Sequence, residues 1–140
     1  MRILVTGGGG FLGFAVARQL RERGDEVRSL ARGSHPELAE HGIDERRGDV
    51  ADAAAVLAAT AGCDAVIHTA AKAGDWGPRA EYHSANVEGT ANVIAACREH
   101  GIDRLVYTST PSVIHAGGDV EGVDESAPYP ERFDAAYPET

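Results

Sequence analysis

The feature that most limits how this chain folds is a run of glycines near its start, Thr6-Gly7-Gly8-Gly9-Gly10-Phe11-Leu12-Gly13. It follows a β-branched segment, Ile3–Thr6, and precedes a stretch in which Phe11, Leu12, Ala15, Val16 and Leu20 form an apolar face at helical spacing. Glycines between a strand and a helix permit a tight turn and let backbone come close to a phosphate. The helix start then offers free N–H groups and a partial positive charge. Two registers fit, Gly8-x-Gly10-x-x-Gly13 and Gly7-x-x-Gly10-x-x-Gly13. Both describe a turn that holds the pyrophosphate of a dinucleotide.

The rest of the chain repeats this alternation. Further strand-like runs are Glu26–Ala31, Ala65–Thr69 and Leu105–Ser109, with a weaker one at Ile43–Arg47. Between them, Gly24 reads as the residue after a helix, and Asp52 as the N-cap of a helix over Ala53–Thr60 that ends near Gly62. Tyr82, Ala85, Gly89, Val93, Ala96 and Cys97 give the longest helical pattern, ending at His100-Gly101. The chain is therefore expected to be α/β: a doubly wound Rossmann fold whose parallel sheet has about five strands in the order 3-2-1-4-5. Residues 1–140 read as one NAD(P)-binding domain. Beyond Ser112, Gly117-Gly118, Pro128, Pro130 and Pro138 read as a long loop without a closing strand. The expectation is an N-terminal portion, truncated before a C-terminal substrate domain.

Composition narrows the class. A hydrophobic content of 43% supports a real core, and a net charge of −9 argues against nucleic acid or an anionic membrane surface as partner. No apolar stretch approaches the roughly 20 residues that span a bilayer, and a chain that opens on a strand has no signal-peptide layout. Cys63 and Cys97 lack CxxC spacing and read as core residues, so a reducing cytoplasm is the expected location. His68 ends a buried strand and reads as packed. None of the six histidines pairs with others at metal-ligand spacing, and no metal is expected.

The cofactor type turns on the end of the second strand. An acid there would hold the ribose 2′-OH of NAD. The chain instead has Leu30-Ala31-Arg32-Gly33, and the planar fork of Arg32 suits a 2′-phosphate. NADP is expected, with NAD as the alternative.

Taken together, Thr6–Gly13, Gly48-Asp49-Val50, His68-Thr-Ala-Ala71, Asn86-Val-Glu-Gly-Thr90, Tyr107-Thr-Ser-Thr110 and Tyr137-Pro-Glu-Thr140 resemble the extended short-chain dehydrogenase/reductases over essentially the whole chain. The stretches Ala70–Gly77 and Thr108–Ser112 look most like the 3β-hydroxysteroid dehydrogenase-like branch, and within it the bacterial 2-alkyl-3-oxoalkanoate reductases.

That resemblance implies roles. Gly7, Gly10, Phe11, Leu12 and Gly13 would hold the pyrophosphate and Arg32 the 2′-phosphate, with Asp49 on the adenine amino group and Val50 over the ring. Thr69, Ala70, Ala71 and Thr108 would line the cofactor. Asn86 matches an asparagine near the active site, and is equally readable as a buried structural amide that needs partners. Thr110 matches the Ser/Thr that orients the reacting carbonyl. Tyr137 matches the proton-donating tyrosine of Tyr-x-x-x-Lys, although four residues from a chain end it also reads as a surface residue. Lys72 and Trp76 would line a substrate pocket or a surface loop. The motif's lysine falls after Thr140. Bringing a phenol from a pKa near 10 to 7 takes roughly 4 kcal/mol, so these 140 residues alone are expected to catalyse poorly. The implied function is NADP-dependent hydride transfer with a small-molecule ketone or secondary alcohol. The alternatives are a nucleotide-sugar epimerase or dehydratase, and a non-catalytic NAD(P)-binding module. A homodimer is one assembly the family adopts.

Overall fold

The computed structural model describes residues 1–74, 76–114, 121–133 and 135–140. Five parallel strands form one sheet: β1 (Arg2–Thr6), β2 (Glu26–Ala31), β3 (Asp44–Arg47), β4 (Ala65–His68) and β5 (Leu105–Tyr107). Their order is β3-β2-β1-β4-β5, as the alternation predicts. Successive residues of a strand face opposite sides, and β1 shows it. Ile3 and Val5 pack with Ala17, Leu20, Val27 and Leu38 on one face, while Leu4 packs with Val56, Val66 and Val93 on the other. Both free thiols, Cys63 and Cys97, lie in this second core.

Helices cover both faces: α1 (Phe11–Glu22) and α2 (Pro36–Glu40) on the first, α3 (Ala53–Thr60) and α5 (Gly89–Glu99) on the second. The expected Asp52 cap forms, its Oδ1 accepting from Ala54 and Ala55 N–H at 2.9 and 3.2 Å. Gly24 takes φ +95° just past α1. Among the described residues no helix is long and apolar enough to cross a membrane.

Three sequence expectations need correction. The buried face of α1 is Gly13, Ala17 and Leu20, whereas Phe11 is 98% exposed and Leu12 47%. The helix is rotated because Gly13, the residue without a side chain, must lie against the turn that precedes it. The long helical pattern is also not one α-helix. A short α4 (Arg79–Tyr82) runs into a π turn, His83–Glu88, before α5. The wider turn buries Tyr82, Asn86 and Gly89 together. Beyond β5, a 3₁₀ turn spans Pro111–Ile114 and α6 spans Ala136–Glu139, inside the region expected to be loop. Gly117, Gly118 and Asp75 of the motif stretches lie outside the described residues.

Candidate functional site

The glycine turn settles between its two registers. Gly7 is the turn residue with positive φ, +73°. Its N–H donates to Leu30 O at 2.8 Å, and its carbonyl accepts from Gly10 N–H at 2.9 Å. A Cβ on Gly13 would stand 2.2 Å from that same carbonyl oxygen. Close contact therefore selects Gly7-x-x-Gly10-x-x-Gly13, while Gly8 is needed for a different reason: its Cβ would meet Ser29 Oγ at 2.3 Å. The first bond within α1 runs from Phe14 N–H to Gly10 O, 2.8 Å. The amides of Phe11, Leu12 and Gly13 thus have no helical acceptor, and no side chain caps them. Phe11 and Leu12 can serve an anion with backbone even though their side chains face outward.

In front of this turn lies a groove of about 840 Å³ along the carboxyl ends of β1, β2, β3 and β4. Gly7 and Gly10 line it, with Arg32 after β2, Asp49 and Val50 after β3, and Thr69, Ala70 and Ala71 after β4. Arg32 is exposed and makes no hydrogen bond or ion pair with a described residue. Asp49 accepts from Ala51 N–H through Oδ1 at 3.0 Å, which fixes its carboxylate in the loop. Val50 is buried against Gly89, where a Cβ would approach it to 2.7 Å. Thr69 donates its hydroxyl to Thr6 O at 2.7 Å, so the small residues after β4 are tied to β1. Thr108 is the outlier: it is exposed, donates its N–H to His68 O, and does not line the groove.

Lys72 lies in the groove as well. Its ammonium pairs with Glu81 at 2.8 Å and sits 5.1 Å from the centroid of the Tyr82 ring. The hydrogen bond to Glu81 raises its pKa above the usual lysine value, and the charge of Arg32 opposes that rise. Two cations therefore face one space. A close-packed glycine turn, three amides without helical acceptors and the Arg32 guanidinium, unpaired among the described residues, fit an anionic dinucleotide, whatever the chain's overall charge.

A buried hydrogen-bond chain supports the groove floor. Ala70 N–H donates to Thr6 Oγ1 at 3.2 Å, which leaves the Thr6 hydroxyl proton for His68 Nδ1 at 2.6 Å. His68 then carries its proton on Nε2 and donates to Thr90 Oγ1 at 3.1 Å. Burial pulls the imidazole from 6.5 down to about 4. The unfolded chain takes up this proton near pH 6.5 and the folded chain does not, so the contribution is whole above pH 6.5 and lost as pH falls toward 4. Chemical denaturation is expected to show about 3 kcal/mol of acid loss from His68 alone. His68→Gln, compared over the same pH range, should lose correspondingly less. Parallel pH profiles would contradict the assignment.

The residues expected to be catalytic sit on the far side of the β4 loop. Asn86, on the π turn, accepts from Lys72 N–H at 2.8 Å and donates to Lys72 O at 3.1 Å and Thr140 Oγ1 at 2.9 Å. The buried amide is thus fully partnered, and it joins the β4 loop to α6. Arg79 of α4 also pairs with Glu139 of α6. Between them they anchor the helix that carries Tyr137, which is half-buried. Thr110 donates to Ser112 Oγ at 3.2 Å at the start of the 3₁₀ turn, and that turn packs on α6. None of Asn86, Thr110 and Tyr137 lines the groove itself.

A family model for the 3-beta hydroxysteroid dehydrogenase/isomerase family matches residues 4–140. The chain belongs to that family. This family member is 59% identical, over all of its length, to a 2-alkyl-3-oxoalkanoate reductase of Stenotrophomonas maltophilia, and spans 43% of that protein. Among solved structures it is similar to a short-chain dehydrogenase/reductase superfamily protein of Agrobacterium tumefaciens with bound NAD, at 30% identity and a TM-score of 0.87 over 99% of the chain and 41% of the other. It is equally similar in shape to Thermus thermophilus UDP-glucose 4-epimerase in complex with NAD: 32% identity, TM-score 0.87, 99% and 47% covered. The nicotinamide-dinucleotide fold of the family is therefore that of this chain.

Within this family member, Gly9, His35, Glu81, Ser84 and Ala85 line the groove without having been legible in the sequence. Gly9 had a signal, since it belongs to the glycine run. Of the others, His35 stands just before α2, Glu81 lies on α4, and Ser84 and Ala85 lie on the π turn.

Proposed function

We infer that the groove binds NADP, and that the full-length protein reduces a ketone or oxidises a secondary alcohol of the 3-oxo acid or 3β-hydroxysteroid type. One observation carries the cofactor choice: Arg32 stands unpaired among the described residues at the end of β2, where NAD-binding members of this fold need a carboxylate. Bound NADPH would supply the hydride. Phe11, Leu12 and Gly13 amides hold its pyrophosphate, Arg32 its 2′-phosphate, and Asp49 with Val50 the adenine. Thr110 orients the substrate carbonyl, and Tyr137 donates a proton to its oxygen. Asn86 fixes the helix that presents Tyr137. The 59% identity to a reductase supports this reading over the epimerase one, which draws on 32% identity to the Thermus protein.

The test is NADPH oxidation by the protein at the full length of its relatives, with 2-alkyl-3-oxo acids and 3-oxosteroids as substrates. Substrate-dependent oxidation is expected with one of these classes. Turnover of UDP-glucose instead would favour the epimerase. NADPH binding with no turnover of any of them would favour a binding module.

A further inference from the structure

His35 stands immediately before α2, and its backbone N–H donates to Glu45 Oε1 of β3 at 2.6 Å. With its main chain fixed there, the imidazole folds back over the glycine turn. A Cβ on Gly9 would stand 2.1 Å from Cδ2 and Nε2, and one on Gly33 would stand 3.0 Å from Nε2. The ring therefore occupies space that two residues leave by having no side chain. Neither ring nitrogen hydrogen-bonds a described residue, although Glu37 Oε1 lies 3.6 Å from Nδ1. The side chain is 26% exposed and lines the same groove as Arg32.

We propose that His35 is a second ligand of the cofactor's 2′-phosphate, acting as imidazolium, so that the preference for NADPH over NADH grows as pH falls. This rests on the NADP reading of Arg32. An imidazolium beside a guanidinium is unfavourable without an anion between them, and a phosphate has oxygens enough for both. The ribose hydroxyl of NADH carries no charge to offset that repulsion. The charged groups around the ring are Glu37 from α2, Glu45 from β3 and Arg32 from the loop after β2. The glycine turn contributes none. Imidazole is the side chain whose charge changes across the range from pH 5 to 8.

Calorimetric titration of NADPH and NADH at pH 6 and pH 8 tests this in the unaltered chain, His35→Gln and Arg32→Ala. The ratio of the two affinities cancels any change in folding common to both nucleotides. In the unaltered chain the ratio should rise about tenfold from pH 8 to pH 6, the scale of one charge-assisted hydrogen bond. In His35→Gln it should stay level or fall, because the phosphate's own second proton, with a pKa near 6, works the other way. Arg32→Ala should lower the ratio at both pH values and keep the rise. Equal pH dependence in the unaltered chain and His35→Gln would overturn the role of His35 while leaving Arg32 intact. No NADPH preference at either pH would overturn both.

Discussion

Gly13→Ala is expected to weaken dinucleotide binding by about 100-fold and to destabilise the chain by about 1–3 kcal/mol. Its Cβ would lie 2.2 Å from Gly7 O and 2.7 Å from Gly7 C, and 2.8 Å from Thr69 Oγ1. The first two are backbone atoms of a turn held by the bond from Gly7 N–H to Leu30, so relief comes only from shifting α1 outward. That shift would carry the amides of Phe11, Leu12 and Gly13 away from the place where, as proposed, they meet the pyrophosphate. Gly10→Ala is the informative control, since its Cβ would stand 3.3 Å from Gly7 O and meet nothing closer. A milder loss is expected there. Titration of both variants with NADPH, beside thermal melts, separates binding from stability. Weaker binding by Gly10→Ala than by Gly13→Ala would contradict the placement of Gly13 as the glycine packed most tightly on Gly7.

Tyr137→Phe in the full-length protein is expected to lower kcat by about 10²–10⁴-fold, the usual contribution of a positioned general acid. The affinity for NADPH should be unchanged, because Tyr137 does not line the groove. The ring also leaves the anchoring of α6 intact, which rests on Arg79–Glu139 and Asn86–Thr140. Transient kinetics can read the chemical step directly. A variant with wild-type kcat would remove Tyr137 from the reaction, and one with weakened NADPH binding would give it a structural role instead.

The skeleton of the site was readable because its causes are local. A positive φ at Gly7 and the Asp52 cap each depend on a few adjacent residues. Strand order followed from the alternation of short β-branched runs with helical stretches. What stayed hidden depended on distance or on broken periodicity. Five residues from Pro36 to Glu40 are too few to show a helical period, so α2 was missed and His35 with it. The π turn inserts a residue into the pattern, which is why Asn86 looked like a polar intruder on an apolar face. Its partners, Lys72 and Thr140, are 14 and 54 residues away. Phe11 misled in the opposite direction: it has the spacing of a core residue, but the contact between Gly13 and Gly7 turns it outward. Lys72 could be placed in a loop from sequence, but its pairing with Glu81 across the groove could not.

These features converge on Arg32. As proposed, the glycine turn would serve the pyrophosphate, and Asp49 with Val50 the adenine; neither would distinguish one nicotinamide cofactor from the other. In the proposed reading the Arg32 guanidinium, unpaired among the described residues, is what would distinguish them. The most direct test is calorimetric titration of this chain with NADPH and NADH, repeated with Arg32→Ala. Tighter binding of NADPH by about tenfold to a hundredfold is expected, as one charge-assisted pair to phosphate supplies, with the difference largely lost in Arg32→Ala. Equal affinities in the unaltered chain would contradict the account.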